Sequence, residues 1–442
     1  MKLRGLMLGT LVLLILAAGV YFSNKQKSAE AAKPPTDAPP KILALPDGEI
    51  VKIALRKHDA DEIILEKNAA GKWQITFPKP YGADQDAANQ LASAAGTVTS
   101  DKVIEDKATD LSGYGLKAPN TEIDITTKKG AVKKLRIGDD APANGGTYVA
   151  LDGDPRVFTV PSYTKTSLDK SLNDLRDKRL LTFEQDKLSR LELLAKKQDI
   201  EFGRDKDQWQ IVKPQPLRAD GLQVEELIRK VKDAKMDLTV SEEDAKKAAA
   251  AFNSGTAVAT VKMTDPSGTQ QLEIRKVKDD YYAKSSVVDG VHKVTNDLAT
   301  SLDKGVDDFR NKKLFDFGFN DPNKIELHSN GKTYAFEKKG EDWLGGGKKM
   351  DSTSVQSFVD KLRDLAAGKF IDSGTFGTQV MDISVTSNDG KRIEKVLISK
   401  QGNDYIAKRE NEPALYGMDA KTVDDLSKAA ADVKEAQPPK KK

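Results

Sequence analysis

The chain has 442 residues, in which 71 lysines and arginines nearly balance 68 aspartates and glutamates, giving a formal net charge of +3. This balance disfavours nucleic acid as a partner, because binding a phosphate backbone normally requires a strongly basic surface. The absence of cysteine excludes disulfides, thiolate metal sites, cysteine nucleophiles and a lipidated cysteine.

The N-terminal segment is predicted to be a membrane anchor. Residues 6–22 carry no charge and lie between two pairs of basic residues. As a helix they would measure about 26 Å, near the minimum for crossing a bilayer. We expect residues 1–27 to form a short cytoplasmic stub and an uncleaved signal anchor, because two basic side chains precede the apolar run. A cleaved secretory signal peptide is the alternative.

The segment after the anchor and the C-terminal segment have compositions typical of unfolded chain. Residues 28–44 are rich in Pro, Ala and Lys, which predicts a semi-extended linker. Residues 431–442 end in Pro-Pro-Lys-Lys-Lys and are predicted to be a disordered basic tail.

Three tryptophans divide the rest of the chain into repeats. Trp73 and Trp209 are 136 residues apart, and Trp209 and Trp343 are 134 apart. Neighbouring sequence recurs with them, such as Trp-Gln-Ile followed by Pro-x-Pro in the first two copies. Self-similarity at a fixed period is the signature of a tandem array. We assign the copies to residues 45–184, 185–317 and 318–430, and the third copy is degenerate.

Each copy is predicted to be an antiparallel sheet covered by a helix, so the fold class is α+β. Short runs that alternate apolar and polar residues predict strands, of which the Trp strand is the third. An aspartate then stands where a helix N-cap is expected, at Asp84, Asp220 and Asp351. Apolar residues spaced i, i+3, i+4 and i+7 follow, so the helix would pack its apolar side over the tryptophan.

A second helix is expected to link one copy to the next, around residues 162–177 and again around 296–312. Arg176 and Arg310 stand at equivalent places near its end, which we interpret as a salt-bridged joint between repeats. Binding of a ligand by these two arginines is the alternative.

Candidate residues for catalysis or metal binding are few. The three histidines, at 58, 292 and 328, occupy non-equivalent positions and show no ligand spacing. The aspartate pairs at 139–140 and 279–280 are typical of turns, with a calcium site as the alternative. Residues 345–348, Gly-Gly-Gly-Lys, are interpreted as a degenerate strand of the third copy. The sequence therefore identifies no catalytic residue, no metal ligand and no cofactor.

The most distinctive non-periodic segment is a predicted turn anchored by Tyr114, Gly115, Leu116 and Pro119. This turn, the N-terminal span, the Trp-x-Ile strand followed by Pro, and the Ala-Asp helix starts together resemble a bacterial family known only as a domain of unknown function. Members are often encoded beside auxiliary ABC transporters of the gliding-motility type. The resemblance therefore implies an ABC permease or another envelope protein as partner. The family has no established catalytic residues.

We therefore expect a non-enzymatic accessory or scaffold protein, anchored once in the bacterial inner membrane through residues 6–22, with most of the chain in the periplasm. An alternative is a periplasmic module that binds or senses a small ligand or glycan, and a third is an envelope hydrolase. Ligand binding would require a cleft between units, lined by aromatic side chains such as Tyr81, Tyr148, Tyr281 and Tyr282.

Overall fold

The computed structural model describes residues 40–46, 48–142, 146–206, 208–318 and 322–437. They form three large antiparallel sheets with helices, so the fold is mixed α+β. Two compact units divide the chain, one ending at Lys178 and the other beginning at Arg179. The predicted anchor and most of the predicted linker lie outside the described residues. None of the described helices is long and apolar enough to cross a membrane.

The first unit holds repeat 1. Its strands are β1 (Lys41–Ala44), β2 (Ile50–Lys57), β3 (Ala60–Lys67), β4 (Trp73–Phe77), β5 (Tyr81–Gly82), β6 (Thr97–Thr99), β7 (Lys102–Glu105), β8 (Thr121–Thr127), β9 (Val132–Asp140), β10 (Gly146–Leu151) and β11 (Val157–Pro161). Its helices are α1 (Gln85–Gly96), α2 (Ser162–Leu168) and α3 (Leu172–Leu175). The main sheet has the order β5-β4-β3-β2-β8-β9-β10-β11-β7, and β1 pairs with β6 separately.

The second unit holds repeats 2 and 3. The strands of repeat 2 are β12 (Arg190–Ala195), β13 (Gln198–Asp205), β14 (Gln208–Lys213), β15 (Leu217–Arg218), β16 (Thr256–Asp265), β17 (Gly268–Val277), β18 (Asp280–Ser285) and β19 (Val291–Val294). Its helices are α4 (Gly221–Lys232), α5 (Glu242–Phe252) and α6 (Asn296–Leu302). Its sheet has the order β15-β14-β13-β12-β16-β17-β18-β19.

Repeat 3 follows the topology of repeat 1. Its strands are β20 (Lys324–Ser329), β21 (Lys332–Lys339), β22 (Asp342–Gly345), β23 (Lys348–Lys349), β24 (Lys369–Ile371), β25 (Gln379–Ser387), β26 (Arg392–Gln401), β27 (Asp404–Arg409) and β28 (Leu415–Met418). Its helices are α7 (Ser352–Arg363) and α8 (Ala420–Ala431). The sheet order is β23-β22-β21-β20-β25-β26-β27-β28-β24.

Alternating sequence gives each sheet one apolar and one charged face. In β8, Ile123 and Ile125 are fully buried, whereas Glu122 and Asp124 lie on the opposite face and pair with Arg56 of β2 at 3.0 and 2.7 Å. Successive side chains of a strand point to opposite faces, so this pattern buries one face only. The helix capped by aspartate covers that face in every repeat, and each repeat has its own hydrophobic core. Helix α5 of repeat 2 packs on the opposite face, against Tyr282.

Three boundaries differ from the sequence prediction. Residues 41–44, assigned to the linker, form β1 and pair with β6. The apolar residues at 180, 181 and 183 pack in the core of repeat 2, and those at 314, 315 and 317 pack in the core of repeat 3. The start of the predicted tail is also ordered, because Glu435 bridges to Met350. The first two repeats therefore end several residues earlier than predicted, and the third extends to about residue 436, beyond its predicted end at 430.

The second helices also differ from the prediction. In place of one helix over residues 162–177, α2 and α3 are separated by a short break, and α6 ends at Leu302. Helices α5 and α8 were not predicted, although Ser241 and Asp419 are recognisable N-caps that accept hydrogen bonds from backbone N–H groups.

Asp265, at the end of β16, forms hydrogen bonds that hold the segment around Glu184 against the sheet of repeat 2. Its buried carboxylate accepts hydrogen bonds from the Glu184 N–H (2.8 Å), the Ser267 hydroxyl (2.5 Å) and the Ser267 N–H (2.8 Å). These bonds, first that of the Ser267 hydroxyl, lower the pKa of Asp265 below its ordinary value.

Replacing Asp265 by asparagine should destabilise repeat 2 by about 1–3 kcal/mol at neutral pH, because backbone N–H groups lose a charged acceptor. The folded-state pKa is depressed, so this contribution is present above the unfolded-state pKa and is lost as pH falls through the folded-state pKa. Native-state hydrogen exchange in repeat 2 should therefore separate the variant from the unmodified protein at neutral pH, and the difference in stability should vanish in acid. Asp297→Asn, at an exposed aspartate of the same repeat, is the control. If the stability difference between Asp265→Asn and the unmodified protein did not change with pH, the stabilising role of the ionised Asp265 carboxylate would be contradicted.

Candidate interaction surface

The three tryptophans are core residues that tie the third strand to the covering helix. Trp73, Trp209 and Trp343 are 2%, 4% and 5% exposed. The indole N–H donates to Asn89 Oδ1 in repeat 1 (2.9 Å) and to Glu225 Oε1 in repeat 2 (2.7 Å). Both acceptors belong to the covering helix, so the indole group holds the helix on the sheet.

The three aspartates cap the covering helices. Asp84 accepts from the N–H groups of residues 86 and 87, Asp220 from those of 222 and 223, and Asp351 from that of 354. Each also donates its own N–H to a carbonyl of the segment that ends its repeat, at 2.7–2.8 Å. This second bond links the helix start to the end of the repeat.

The turn at Tyr114, Gly115 and Leu116 lies on β9 and is tightly packed. Leu116 is fully buried, and the Tyr114 hydroxyl donates to Glu105 (2.8 Å), which raises the pKa of Tyr114. Gly115 has φ +65°, and a Cβ there would lie 2.5 Å from Asp139 Cγ. Pro119 lies two residues before β8. The turn therefore has a packing role in repeat 1.

Gly138, in β9, packs directly against the backbone of this turn. A Cβ at Gly138 would overlap the Tyr114 carbonyl oxygen and lie 3.1 Å from the Gly115 carbonyl carbon. We expect Gly138→Ala to destabilise repeat 1 by about 1–3 kcal/mol, because backbone must move. Thermal unfolding would measure this against Gly113→Ala, whose added Cβ would meet nothing within 4 Å. Equal melting temperatures of the two variants would contradict the packing role.

Arg176 is the C-cap of α3, in extended backbone, and Arg310 follows the last helical turn of repeat 2. Arg176 bridges to Ala83 and stacks on Tyr81, with the guanidinium 4.2 Å from the ring centroid. Arg310 bridges to Ala219. Extended backbone is required here because each arginine forms a single antiparallel bridge beside the edge strand of its own sheet.

Arg310 is also buried between two repeats of the second unit. Its side chain is 5% exposed, donates to Asp307 (2.9 Å) and Asp372 (2.8 Å), and lies 3.7 Å over the ring of Phe370 in β24. Both carboxylates and the ring are partners within the chain. The geometry therefore gives Arg310 a structural contact between repeats 2 and 3.

Sequence reasoning missed a larger charged cluster between repeats 2 and 3. We call it the joint network; its members are Arg218, Asp316, Arg392, Glu394, Arg409 and Glu412. Asp316 accepts from Arg218 of repeat 2 at 2.5 Å and from Arg409 of repeat 3 at 2.9 Å. Arg409 also contacts Glu394 (3.2 Å) and Glu412 (2.9 Å). The side chains of Arg218, Arg409 and Glu394 are 15%, 13% and 5% exposed.

Backbone pairing accompanies these ion pairs. The Asn311 N–H donates to the Arg218 carbonyl of repeat 2 (2.9 Å), and the Leu314 N–H donates to the Leu365 carbonyl of repeat 3 (3.0 Å). The segment between the repeats thus bonds to both. Buried Tyr416 adds a bond from its hydroxyl to Glu412 (3.1 Å), and burial raises the pKa of this tyrosine.

Repeat 2 differs from its neighbours at one sheet edge. In repeats 1 and 3 a ninth strand, β7 or β24, pairs antiparallel with β11 or β28. Among the described residues of repeat 2, the sheet ends at β19 with no strand beyond it. The backbone of Val291 therefore has no neighbouring strand on its outer side.

Two open clefts flank this edge. The first, about 670 Å³, is lined by Tyr281, Met236 and Val294 among others, and the second, about 600 Å³, by Tyr282 and residues of α5. Because Tyr281 and Tyr282 are consecutive in β18, the clefts lie on opposite faces of the sheet. Asp237, Asp280 and Lys293 line both.

The four tyrosines proposed for a ligand cleft therefore divide into two groups. Tyr81 packs against Arg176, and Tyr148 makes an edge contact with Tyr114 at 4.9 Å between ring centroids. Tyr281 and Tyr282 line different clefts of repeat 2. The structure does not bring Tyr281 and Tyr282 into one cleft.

The remaining candidates have local partners. His328 Nδ1 lies 3.0 Å from Asp382 Oδ1, and His292 Nε2 lies 2.9 Å from the Asp289 carbonyl. In the described part of the chain, no group of three or more His, Cys, Asp or Glu side chains is placed to hold a metal ion. The glycines at 346 and 347 form a tight turn between β22 and β23, so this segment is a hairpin.

The aspartate pairs lie at strand ends, as turn residues do. The Asp140 carboxylate accepts from Lys165 (2.7 Å) and from the Thr147 hydroxyl (2.8 Å), and these bonds, first that of Lys165, lower its pKa. Asp280 pairs with Lys293 at 2.9 Å. In both places the carboxylate has a cationic partner within its own repeat.

These features define a tandem-repeat α+β protein in which an antiparallel sheet carries a helix capped by aspartate over its Trp strand. The chain belongs to the family described as Domain of unknown function (DUF4340), whose model matches residues 73–210 and 209–379. Both matches begin at a Trp strand, so the family unit starts inside one sheet and ends inside the next. No curated protein and no solved structure matches the chain.

Proposed function

We propose that the protein is a membrane-anchored accessory or scaffold subunit that faces the periplasm and associates with an ABC-type transport or gliding-type envelope complex. The observation that carries the proposal is the joint between repeats 2 and 3. Residues 310–317 bond to both repeats, and the joint network neutralises its charges within the chain. Firmly connected modules present a fixed, extended surface that suits protein partners.

Two further considerations support this proposal. The uncharged run at residues 6–22 is consistent with a membrane anchor. The family that the sequence resembles is often encoded beside ABC transporter genes, which favours an ABC permease as the partner. The charged sheet faces carry cross-strand ion pairs, such as Arg190 with Glu201 at 2.9 Å. Such surfaces stay soluble without a partner and can still contact a protein.

Crosslinking in intact cells tests the proposal. The full chain is compared with a chain that begins at Thr36 and is exported by a cleavable signal peptide, so that both reach the same compartment. Thr36 is chosen because Pro40 must remain: its carbonyl accepts from the Ser100 N–H (3.0 Å) and hydroxyl (2.8 Å). The measurement is the identity of the proteins recovered after detergent extraction.

Recovery of permease and ATPase subunits with the full chain only would support the role and place the contact at the anchor. Recovery with both chains would place the contact on the repeats. Recovery of the chain alone would reject the accessory role. The clefts that contain Tyr281 and Tyr282 would then favour the second candidate, a module that binds a small ligand or glycan.

A further inference from the structure

The edge of β19 in repeat 2 corresponds to a position that the chain itself fills in the other two repeats. In each repeat one N–H donates to the edge strand at the equivalent place: Asp101 to Thr159 (2.7 Å), Asp237 to Lys293 (3.0 Å) and Gly368 to Gly417 (3.0 Å). In repeats 1 and 3 the chain then continues along the edge as β7 or β24. The three edges are therefore in the same register up to this bond.

In repeat 2 the chain leaves the edge directly after this bond. The Asp237 carboxylate accepts from the Thr239 N–H (2.9 Å) and hydroxyl (2.6 Å), which turns the backbone, and Ser241 then caps α5. This side-chain bonding competes with strand pairing. Repeat 2 has thus exchanged its edge strand for a turn and a helix.

The outer edge of β19 has backbone groups directed away from the sheet. In an antiparallel strand, alternate residues direct both the N–H and the C=O group to the same neighbour. The Lys293 carbonyl accepts from Asp237 on the outer side, so Val291, two residues away, also faces outward. The corresponding residues Val157 and Leu415 pair with Glu105 and Ile371.

The two strands that fill the position share a sequence pattern. They read Lys-Val-Ile-Glu at residues 102–105 and Lys-Phe-Ile-Asp at 369–372. By register, the lysine falls opposite Thr159 or Gly417, the counterparts of Lys293. The cleft beside Lys293 on the Tyr282 face contains Asp237, Asp244 and Asp280 together with Lys247, Lys278 and Lys293. A lysine side chain at this place would therefore lie in a cleft of balanced charge that includes three carboxylates.

We propose that the β19 edge binds an extended segment of a partner protein as a ninth, antiparallel strand, with the pattern Lys, apolar residue, Ile, acidic residue. Main-chain hydrogen bonds to Val291 would supply affinity, as in other cases of strand addition. This inference rests on the proposed accessory role, because it names the edge through which a protein partner docks.

The test uses a fluorescent peptide with the sequence of residues 369–374, Lys-Phe-Ile-Asp-Ser-Gly, and the full chain in detergent. In repeat 3 Ile371 lies directly opposite Leu415, whose backbone groups face β24, so the Ile371 N–H faces β28 and the Phe370 N–H, opposite Tyr416, faces away. N-methylation of Ile371 should weaken binding by about tenfold or more, and N-methylation of Phe370 should leave it nearly unchanged. Hydrogen exchange at Val291 should slow when the unmodified peptide binds.

Absence of saturable binding, or equal binding of the two methylated peptides, would overturn the edge proposal. Slowed exchange along β28 in place of β19 would also overturn it, because the peptide would then be replacing β24. The accessory role is tested separately by crosslinking. Peptide binding without recovery of transporter subunits would reject the accessory role and keep the edge proposal. Recovery of transporter subunits without peptide binding would reject only the edge proposal.

Discussion

Replacing Trp209 by alanine is expected to lower the free energy of unfolding of repeat 2 by about 3–5 kcal/mol, since the change removes a large core side chain and leaves a cavity. Trp209 is 4% exposed and packs with Val224 and Ile228 of α4 in one core. The loss also breaks the indole bond to Glu225. Native-state hydrogen exchange is the suitable measurement, because the second unit holds two repeats and a single melting temperature would not separate them.

Two variants in α4 serve as controls for Trp209. Leu222 is 82% exposed, so Leu222→Ala should change stability by no more than about 0.5 kcal/mol. Glu225→Ala keeps the ring but leaves the indole N–H without its acceptor, at a cost of about 1–3 kcal/mol. A Trp209→Ala protein with the exchange rates of Leu222→Ala would show that the indole does not hold the helix on the sheet.

The elements with regular periodicity could be predicted from the sequence. The strands around Ile123 alternate with a period of two, and the apolar side of α4, from Val224 to Val231, has helical spacing. The N-cap aspartates were recognisable because a carboxylate at a helix start accepts hydrogen bonds from the unpaired backbone N–H groups of the first turn. Three copies of the same pattern made each identification more secure than it would be in one repeat.

The parts that depend on contacts between distant residues could not be predicted. Arg176 and Arg310 follow helical sequence, yet they are extended because they pair with residues 83 and 219, far away in the chain. The joint network unites residues 218 and 409, which no local pattern connects. The open edge of β19 is a difference between repeats, visible only when the strand order of each sheet is known.

Replacing Arg409 by methionine is expected to destabilise repeat 3 and its junction with repeat 2 by about 2–4 kcal/mol, because buried Glu394 loses one of its two cationic partners and the Leu314 carbonyl loses a donor. Arg409 is 13% exposed, and it contacts Asp316, Glu394 and the Leu314 carbonyl. Glu394, at 5% exposed, would keep only Arg392, whose Nε lies 3.2 Å from Glu394 Oε2. Hydrogen exchange should become faster in repeat 3 and at residues 311–317.

A second variant separates loss of charge balance from loss of packing. Combining Arg409→Met with Glu394→Gln removes the buried carboxylate that has lost one of its two cations but keeps an oxygen that can accept from the Asp316 N–H (2.8 Å). The double variant should therefore recover part of the stability that Arg409→Met loses, a non-additivity expected for residues in one network. Lys421→Ala, which breaks a pair with Asp425 at a side chain 85% exposed, should have almost no effect. Strict additivity would mean that Arg409 and Glu394 stabilise repeat 3 independently, and the joint would then be held by its backbone hydrogen bonds and its apolar contacts.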